Sequence, residues 1–418
     1  MIKEVHAREV LDSRGNPTVE CEIITHKGSF SGMVPSGAST GSHEALEMRD
    51  GDSRYQGKGV LKAVSNINNI ISKKILGLDS SQQQDIDELL ISLDGTENKK
   101  KIGANAILAV SIAVCRAGAA SQEKPLFQHI ASLSKNKSFS LPIPQLNVIN
   151  GGKHAGIDND IQEHMIMPIG SSCYSEGLRM SVEVYHTLKG ILKKKFGPIG
   201  TNIADEGGFS PAIESIHDRL HVVMNAIEQC GYQQEISFAL DCAASEFFSN
   251  NVYSIRNKKF SSDQLIDFYS DLSKTFPIIS IEDGMAEDDW NGWIELTKKL
   301  GKKIQIVGDD LLVTNTARIK TAIQKKAANA TLIKLNQIGT VSETIDAVNL
   351  THQHKWKSVV SQRSGETEDP FSADFCVGVG ASQFKMGAPA RSERLAKYNQ
   401  LLRIEETIGK KYSGKLFR

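Results

Sequence analysis

Residues 278–282 have the sequence Ile-Ile-Ser-Ile-Glu, a short apolar run that ends in a carboxylate, and this pattern decides the fold. Similar runs along the second half of the chain end at or just before other polar residues: Asp241, Asp309, Lys334, Arg363 and Lys385. From Glu282 onward, successive end points lie 22 to 29 residues apart, which suits one strand, one helix and their loops. The spacing therefore predicts repeated strand–helix units.

Such repetition predicts a parallel sheet, and polar residues at the carboxyl ends of the strands predict a closed β/α barrel with its site at that mouth. Residues 1–125 differ, because two predicted strands (near 18–23 and 30–34) are followed by helical patterns, which indicates an α+β unit. Residues 132–140 are polar and rich in Ser and Lys, which indicates a linker. The predicted fold class is α/β, with an N-terminal α+β capping domain (1–125), a linker (126–140) and a C-terminal β/α barrel (141–418).

The composition of the chain limits which classes of partner and which cellular compartment are expected. Lys plus Arg and Asp plus Glu both number 49, and a net charge of zero argues against nucleic acid or a membrane surface as the main partner. The apolar stretch 104–120 is interrupted by Asn105, Ser111 and Arg116, so it predicts a buried core helix rather than a membrane span. The six cysteines are scattered without paired C-x-x-C spacing, which favours the reducing cytoplasm.

Three carboxylates stand at predicted strand ends: Asp241, Glu282 and Asp309. Any one of them alone could simply cap the next helix. Together they would point at one axial position, where unpaired anions repel each other. A hard divalent cation with oxygen ligands removes that conflict, and Mg²⁺ is favoured because it keeps positions for substrate and water.

Two residues are candidates for proton transfer. Lys334 follows the strand after Asp309; either its stem packs while its ammonium reaches water, or nearby cations and burial lower its pKa so that it acts as a base. Glu206 stands immediately before two glycines, in a turn that carries surface acids or one that holds a carboxyl against a ligand as an acid.

Two glycine-rich segments and three polar residues complete the candidates. Residues 35–41, Pro-Ser-Gly-Ala-Ser-Thr-Gly, form either a flexible connection or a lid with Gly37 and Gly41 as hinges. His154, within the Gly-rich stretch 151–156, faces either solvent or a ligand. Arg363, Ser364 and Lys385 would suit phosphate and carboxylate, although scattered surface cations are the usual alternative.

With these residues in place, the chain closely resembles the enolase family, phosphopyruvate hydratase, nearly from end to end. Residues 280–284, Ser-Ile-Glu-Asp-Gly, have the form typical of bacterial members. Other long literal strings that carry the resemblance, in order along the chain, are 12–20, 35–41, 44–52, 205–208, 308–311, 332–339, 363–369 and 391–400.

The resemblance implies a small α+β cap on a barrel whose first turns are irregular, and conversion of 2-phosphoglycerate to phosphoenolpyruvate and water with two Mg²⁺ per site. It also implies a homodimer or a ring of dimers. Lys334 would abstract the C2 proton and Glu206 would protonate the departing C3 hydroxyl. The implied ligands of the first Mg²⁺ are Asp241, Glu282 and Asp309, and Ser39 would help to hold the second.

For the substrate, a phosphorylated carboxylate, the resemblance implies further contacts. Arg363 and Ser364 would bind the phosphate, and Lys385 would contact the carboxylate region. The residues implied to line the rest of the pocket are His154, Gln162, Glu163 and Gln362.

The chain departs from the family pattern at Gln362, Ala204, His164 and Met386, where the family has His, Gly, Phe and Thr. Gln362 matters most, because imidazole can exchange a proton and an amide can only hydrogen-bond. Three hypotheses follow: an ordinary enolase; a paralogue acting on a related phosphonate or modified phosphoglycerate; and a non-catalytic scaffold or surface-binding protein. Retention of the acid, the base and the metal carboxylates speaks against the scaffold.

Overall fold

A computed structural model describes residues 1–38, 41–152, 156 and 158–417. The chain begins with a three-stranded antiparallel sheet in the order β1-β2-β3. Its strands are β1 (Ile2–Leu11), β2 (Pro17–Thr25) and β3 (Gly28–Met33). Val19, Cys21 and Ile23 of β2 are fully buried, as the alternating pattern predicts for a strand with one face on a core.

Helices cover the inner face of this sheet. They are α1 (Leu61–Asn66), a π-helical turn (Ile67–Ile71), α2 (Ser72–Ile75), α3 (Gln83–Asp94), α4 (Ala104–Ser121) and α5 (Leu126–Ser134). Helix α4 is the only helix in the described ranges that is apolar and long enough to span a membrane, and 83% of that window is buried inside the protein. It lies directly on β3, since a Cβ at Gly32 would come within 2.5 Å of the Ala109 carbonyl oxygen. The prediction of a buried core helix is therefore confirmed.

The second unit is a closed eight-stranded barrel with a small three-stranded antiparallel sheet, called here the hairpin sheet. Its elements begin with β4 (Ile143–Asn150), β5 (Glu163–Met167), α6 (Tyr174–Phe196), α7 (Ile216–Cys230) and β6 (Ser237–Asp241). The hairpin sheet follows, with β7 (Phe248–Ser249), β8 (Val252–Ile255) and β9 (Lys258–Phe260).

Strand–helix units then complete the barrel. They are α8 (Ser262–Thr275), β10 (Ile278–Glu282), α9 (Trp290–Leu300), β11 (Gln305–Gly308), α10 (Thr316–Lys325), β12 (Ala330–Ile333), α11 (Leu335–Ile338), α12 (Val341–Gln353), β13 (Lys357–Ser361), α13 (Phe371–Gly378), β14 (Gln383–Lys385) and α14 (Ser392–Ile408). Strand β5 runs antiparallel to β4 and β6, and the other neighbouring strands are parallel. The predicted α/β fold with a barrel is confirmed, and its irregularity lies at its start.

The structure differs from the predicted linker over 126–140, because α5 occupies its first nine residues. Phe127 and Ile130 on this helix are buried, and a Cβ at Gly378 of α13 would lie 2.7 Å from the Ile130 Cβ. Apolar residues at helical spacing thus outweigh the polar composition that follows. Helix α5 ends at Ser134, and the next residue, Lys135, has a positive φ of 61°.

The cap and the barrel meet at the mouth of the barrel. Ser36, in the loop after β3, exchanges backbone hydrogen bonds of 2.7 and 2.8 Å with Gly365, just after β13. Below the mouth, a layer of polar side chains crosses the barrel, where Gln383 Oε1 accepts from Gln145 Nε2 (2.6 Å) and Gln305 Nε2 (2.9 Å). The last residues of the parallel strands therefore lie between this layer of side chains and the cap domain.

Candidate active site

One cleft at the mouth of the barrel gathers most of the predicted site residues. Those that line it are Gln162, Glu163, Glu206, Asp241, Asp309, Lys334, Gln362, Arg363, Ser364 and Lys385. Glu282 joins them through Lys385. Ser39 and His154, the two other predicted residues, lie outside the described residues.

Lys385 stands at the centre of a carboxylate cluster. Its Nζ donates to Asp241 Oδ2 and Glu282 Oε1, each at 2.8 Å, and lies 3.4 Å from Glu163 Oε1. The strands bring these groups together, because β5, β6, β10 and β14 all place a terminal residue at the mouth. Burial alone would lower the pKa of the Lys385 ammonium, but Asp241 and the other carboxylates raise it well above its usual value.

The same cluster is chemically suited to a divalent cation. Burial, together with the charge of Asp241, raises the pKa of Glu282 well above its ordinary value. Its second oxygen, Oε2, is buried and has no hydrogen-bond partner within the described part of the chain. Buried carboxylate oxygens that lack donors are the ligands that Mg²⁺ takes in proteins, so the residues present fit the ion.

Lys334 is paired with the third predicted metal ligand. Its Nζ lies 2.5 Å from Asp309 Oδ2, while Gln337 Nε2 donates to Asp309 Oδ1 at 2.8 Å. Burial pushes the pKa of Lys334 down, but the Asp309 carboxylate outweighs it, so that the pKa is raised. The expectation of a lowered pKa is therefore wrong for this state, because the nearest charge is an anion rather than a cation.

Asp283 is a residue that the sequence reasoning missed. Its carboxylate accepts the backbone N–H groups of Asp309 (2.8 Å) and Asp310 (2.9 Å), and so fixes the end of β11 where Asp309 leaves the barrel. Carboxylate oxygens of these three residues lie within 4.8 Å of one another. Burial, with Asp309 as the next cause, raises the pKa of Asp310 to about 8. In the sequence, the signal for Asp283 was its position directly after Glu282.

Glu206 is held in the cleft by a tight turn. Asn147 Nδ2 donates to Glu206 Oε2 at 3.2 Å, and Gly207 has a positive φ of 85°, which glycine adopts without strain. Ala204 does not have a positive φ, so the alanine at this position fits the turn. Glu206 as a whole is 97% buried, and it lines the same cleft as Lys334.

Arg363 links the cleft to the cap. Its guanidinium donates to both Glu44 oxygens, at 2.8 and 3.2 Å, and to Asn336 Oδ1 at 3.2 Å. A Cβ at Gly37 would lie 2.0 Å from the Arg363 NH2 nitrogen, so only glycine permits this approach. The Ala38 N–H donates to Ser364 Oγ at 2.8 Å. The described part of the predicted lid therefore touches the predicted phosphate-binding residues, and Glu44 and Asn336 are contacts that sequence reasoning missed.

Besides Ala204, the chain departs from the family pattern at three residues, and these lie at different depths. Gln362 lines the cleft, and its Oε1 accepts from Arg394. His164 is fully buried, and burial together with the charge of Arg219 lowers its pKa to about 3. Met386 is buried in the core. Of these substitutions, the one in contact with the cleft is Gln362.

Comparison with known proteins covers nearly the whole chain. A family model described as "Enolase, N-terminal domain" matches residues 2–130, and one described as "Enolase, C-terminal TIM barrel domain" matches residues 138–418. A protein named Enolase from Elusimicrobium minutum is 57% identical, over 99% of this chain and 97% of its own length. A protein of the same name from Methanocaldococcus jannaschii is 52% identical, over 100% of this chain and 98% of its own. Enolase 1 from Methanospirillum hungatei is also 52% identical, over 99% and 98%.

Proposed function

Because the chain belongs to the enolase family of hydro-lyases, we propose that it dehydrates 2-phospho-D-glycerate to phosphoenolpyruvate in the cleft at the mouth of its barrel. This is a step of glycolysis and gluconeogenesis. The observation that carries the site assignment is the cleft itself, which holds Lys334, Glu206 and two of the three metal-binding carboxylates, with Glu282 bound to its Lys385.

Lys334 is the base and Glu206 is the acid. The C2 proton beside a carboxylate is weakly acidic, because its removal places two negative charges on the same small unit. Lys334 takes that proton at Nζ, and Glu206 donates a proton to the C3 oxygen as the hydroxyl leaves as water. The cleft offers one group for each proton transfer, Lys334 at C2 and Glu206 at the C3 oxygen.

Asp241, Glu282 and Asp309 would hold one Mg²⁺, and Ser39 together with the substrate phosphate would hold a second, giving two ions per site. When bound, Mg²⁺ supplies positive charge where the substrate carboxylate gains negative charge. Glu282 Oε2, which has no hydrogen-bond partner among the residues that the structure describes, supports the first of these sites. The family is Mg²⁺-dependent, in keeping with this chemistry.

Substrate binding follows from the charges around the cleft. Arg363 and Ser364 bind the phosphate, since a guanidinium and a hydroxyl suit its oxygens. Lys385 would contact the substrate carboxylate, and Gln162, Glu163 and Gln362 line the remainder of the cleft. His154, which lies outside the described residues, would join them on the family resemblance. The proposed lid 35–41, whose described residues Gly37 and Ala38 contact Arg363 and Ser364, would exclude water from the bound substrate and so strengthen each of these electrostatic contacts.

We also propose a cytoplasmic homodimer or ring of dimers. All six cysteines are free thiols, which suits a reducing compartment. Light scattering on the purified protein would give the oligomeric state, and a monomer at micromolar concentration would contradict the proposal.

A paralogue acting on a phosphonate or modified phosphoglycerate remains a second candidate, because Gln362 stands in the cleft where the family pattern has His. An assay of phosphoenolpyruvate formation by ultraviolet absorbance separates the two. We expect turnover of 2-phosphoglycerate that requires Mg²⁺, that is lost in Lys334→Ala, and that persists in the exposed control Lys298→Ala. No turnover by the intact wild type would favour the paralogue.

A further inference from the structure

Arg394 is a completely buried arginine that joins three segments of the cleft. It lies on α14, and its NH1 donates to Gln362 Oε1 and, at 2.7 Å, to the Arg363 carbonyl oxygen. Its NH2 donates to the carbonyl oxygens of Ser364 at 2.7 Å and Asp205 at 3.2 Å. One guanidinium therefore connects the residue before the acid Glu206 to the residues that line the opposite part of the cleft.

This contact fixes the orientation of the Gln362 amide. A guanidinium has only N–H donors, so the group that faces it must be the amide oxygen and never the amide nitrogen. The –NH₂ group must then point the other way. Gln362 is 97% buried, and its Nε2 has no hydrogen-bond partner in the ranges that the structure describes. A buried donor without an acceptor is costly, and a ligand oxygen would relieve that cost.

The amide also packs close to the backbone of the turn that carries Glu206. A Cβ at Gly387 would lie 2.5 Å from the Glu206 carbonyl oxygen and 3.0 and 3.2 Å from Gln362 Oε1 and Nε2. Gly387 thus leaves just enough space for the Gln362 amide to pack against the turn that carries Glu206. Gln362 lines the same cleft as Glu206, Arg363 and Ser364. On the proposed function this cleft receives the C3 oxygen and the phosphate of the substrate, both of which are hydrogen-bond acceptors.

We propose that Arg394 is a positioning residue that holds the Gln362 amide as a permanent hydrogen-bond donor toward an oxygen of the bound substrate. The inference rests on the proposed function, because it takes the ligand of the cleft to be a phosphorylated anion. The Gln362 amide has no ionisable group, so the donor is present over the whole working range. An imidazole at the same position would present a donor that depends on its protonation state.

The test is a series of substitutions at Gln362, with phosphoenolpyruvate as the probe in isothermal titration calorimetry and with kcat and KM measured in parallel. Gln362→Met removes the donor at similar length, and we expect its Kd to rise about tenfold or more. Gln362→Glu still accepts from Arg394 but offers no donor and adds a negative charge, so it should bind more weakly than Gln362→Met.

Gln362→His is the rescue variant. A neutral imidazole can accept from Arg394 at one nitrogen and donate from the other, so it should recover at least part of the affinity lost in Gln362→Met. Its kcat/KM should fall at acidic pH relative to the wild type, because a protonated ring can no longer accept from Arg394. Equal Kd values for the wild type, Gln362→Met and Gln362→Glu would overturn the inference.

A double-mutant cycle tests the part played by Arg394. Arg394→Lys keeps the positive charge but loses the planar guanidinium with its several N–H donors. We expect this substitution to raise the Kd for phosphoenolpyruvate less in the Gln362→Met background than in the wild type. Equal effects in both backgrounds would show that Arg394 acts through stability alone, and would overturn its assignment. If the wild type neither binds phosphoenolpyruvate nor turns over 2-phosphoglycerate, the proposed function fails and this inference fails with it. If the wild type is active and the Gln362 variants all have its Kd, only the inference is overturned.

Discussion

The Nζ of Lys334 lies 2.5 Å from Oδ2 of Asp309, so the proposed base and a proposed metal ligand are hydrogen-bonded to each other. This pairing raises the pKa of Lys334 against the downward effect of burial. A lysine that accepts a proton must first give one up, so the contact with Asp309 has to weaken when substrate and Mg²⁺ are present. The ammonium of Lys385 balances Asp241 and Glu282 in the same way.

Glu282→Gln should weaken Mg²⁺ binding. The substitution removes one negative charge and one ligand oxygen from a buried cluster, and we expect the Kd for Mg²⁺ to rise at least about tenfold. Isothermal titration with Mg²⁺ in the absence of substrate measures this without relying on turnover. Glu295→Gln, on the exposed face of α9, is the matched control and should bind Mg²⁺ like the wild type. Equal Mg²⁺ affinity in both variants would contradict the ligand assignment.

Gly37→Ala should damage substrate binding through Arg363. Its added Cβ would stand 2.0 Å from the guanidinium, which must then turn away from the substrate phosphate. We expect KM for 2-phosphoglycerate to rise about ten- to a hundredfold. The control is Gly190→Ala on helix α6, where no atom lies within 4 Å of the new Cβ. That variant should raise the free energy of unfolding by about 0.5–1 kcal/mol and leave KM alone, and a normal KM in Gly37→Ala would argue against this contact.

His164→Phe should change how stability depends on pH. The pKa of His164 is lowered from 6.5 to about 3 in the folded protein, chiefly by burial. Below pH 6.5 the unfolded chain therefore binds a proton that the folded protein does not, and stability falls as the pH falls toward 3. Between pH 7 and pH 5 the wild type should lose roughly 2 kcal/mol more than His164→Phe. Urea unfolding at both pH values checks this, with the exposed His354→Phe as a control; parallel losses in wild type and His164→Phe would contradict it.

Asp160→Asn should destabilise the segment that leads to Gln162 and Glu163. Asp160 is buried and pairs with the buried Arg219 and, at 2.7 Å, with Arg256 Nε. Loss of its charge leaves the Arg219 guanidinium buried without a carboxylate, so the free energy of unfolding should drop by about 3–5 kcal/mol. Asp267→Asn breaks an exposed pair with Lys299 and should cost less than about 1 kcal/mol. Similar costs for both would show that the buried pair does not hold the segment.

The barrel could be predicted because its strands are almost entirely buried and most of its parallel strands end at or just before a polar residue. The spacing of Glu282, Asp309 and Lys334 is set by the length of one strand–helix unit, so local sequence already contains the repeat. Strand β5 could not be identified in this way, because its antiparallel direction depends on the loops around it. Helix α5 was missed for another reason, since its few apolar residues stand directly before the polar, Ser- and Lys-rich stretch 132–140, and that composition indicated a linker.

The site was predictable as a set of residue types but not as a set of contacts. Carboxylates at strand ends indicate a cation, whereas the sequence does not show that Lys385 lies between Asp241 and Glu282. Glu44 and Arg394 were missed because each reaches the cleft from an element distant in the chain. Their roles depend on three-dimensional packing that periodicity does not encode.

Solvent exchange of the C2 hydrogen of 2-phosphoglycerate tests the division of labour between Lys334 and Glu206 most directly. In heavy water with Mg²⁺, Glu206→Gln should form almost no phosphoenolpyruvate and still exchange the C2 hydrogen, as followed by proton NMR. Lys334→Ala should do neither. Loss of exchange in both variants to the same extent, with both proteins folded, would contradict the assignment of Lys334 as base and Glu206 as acid.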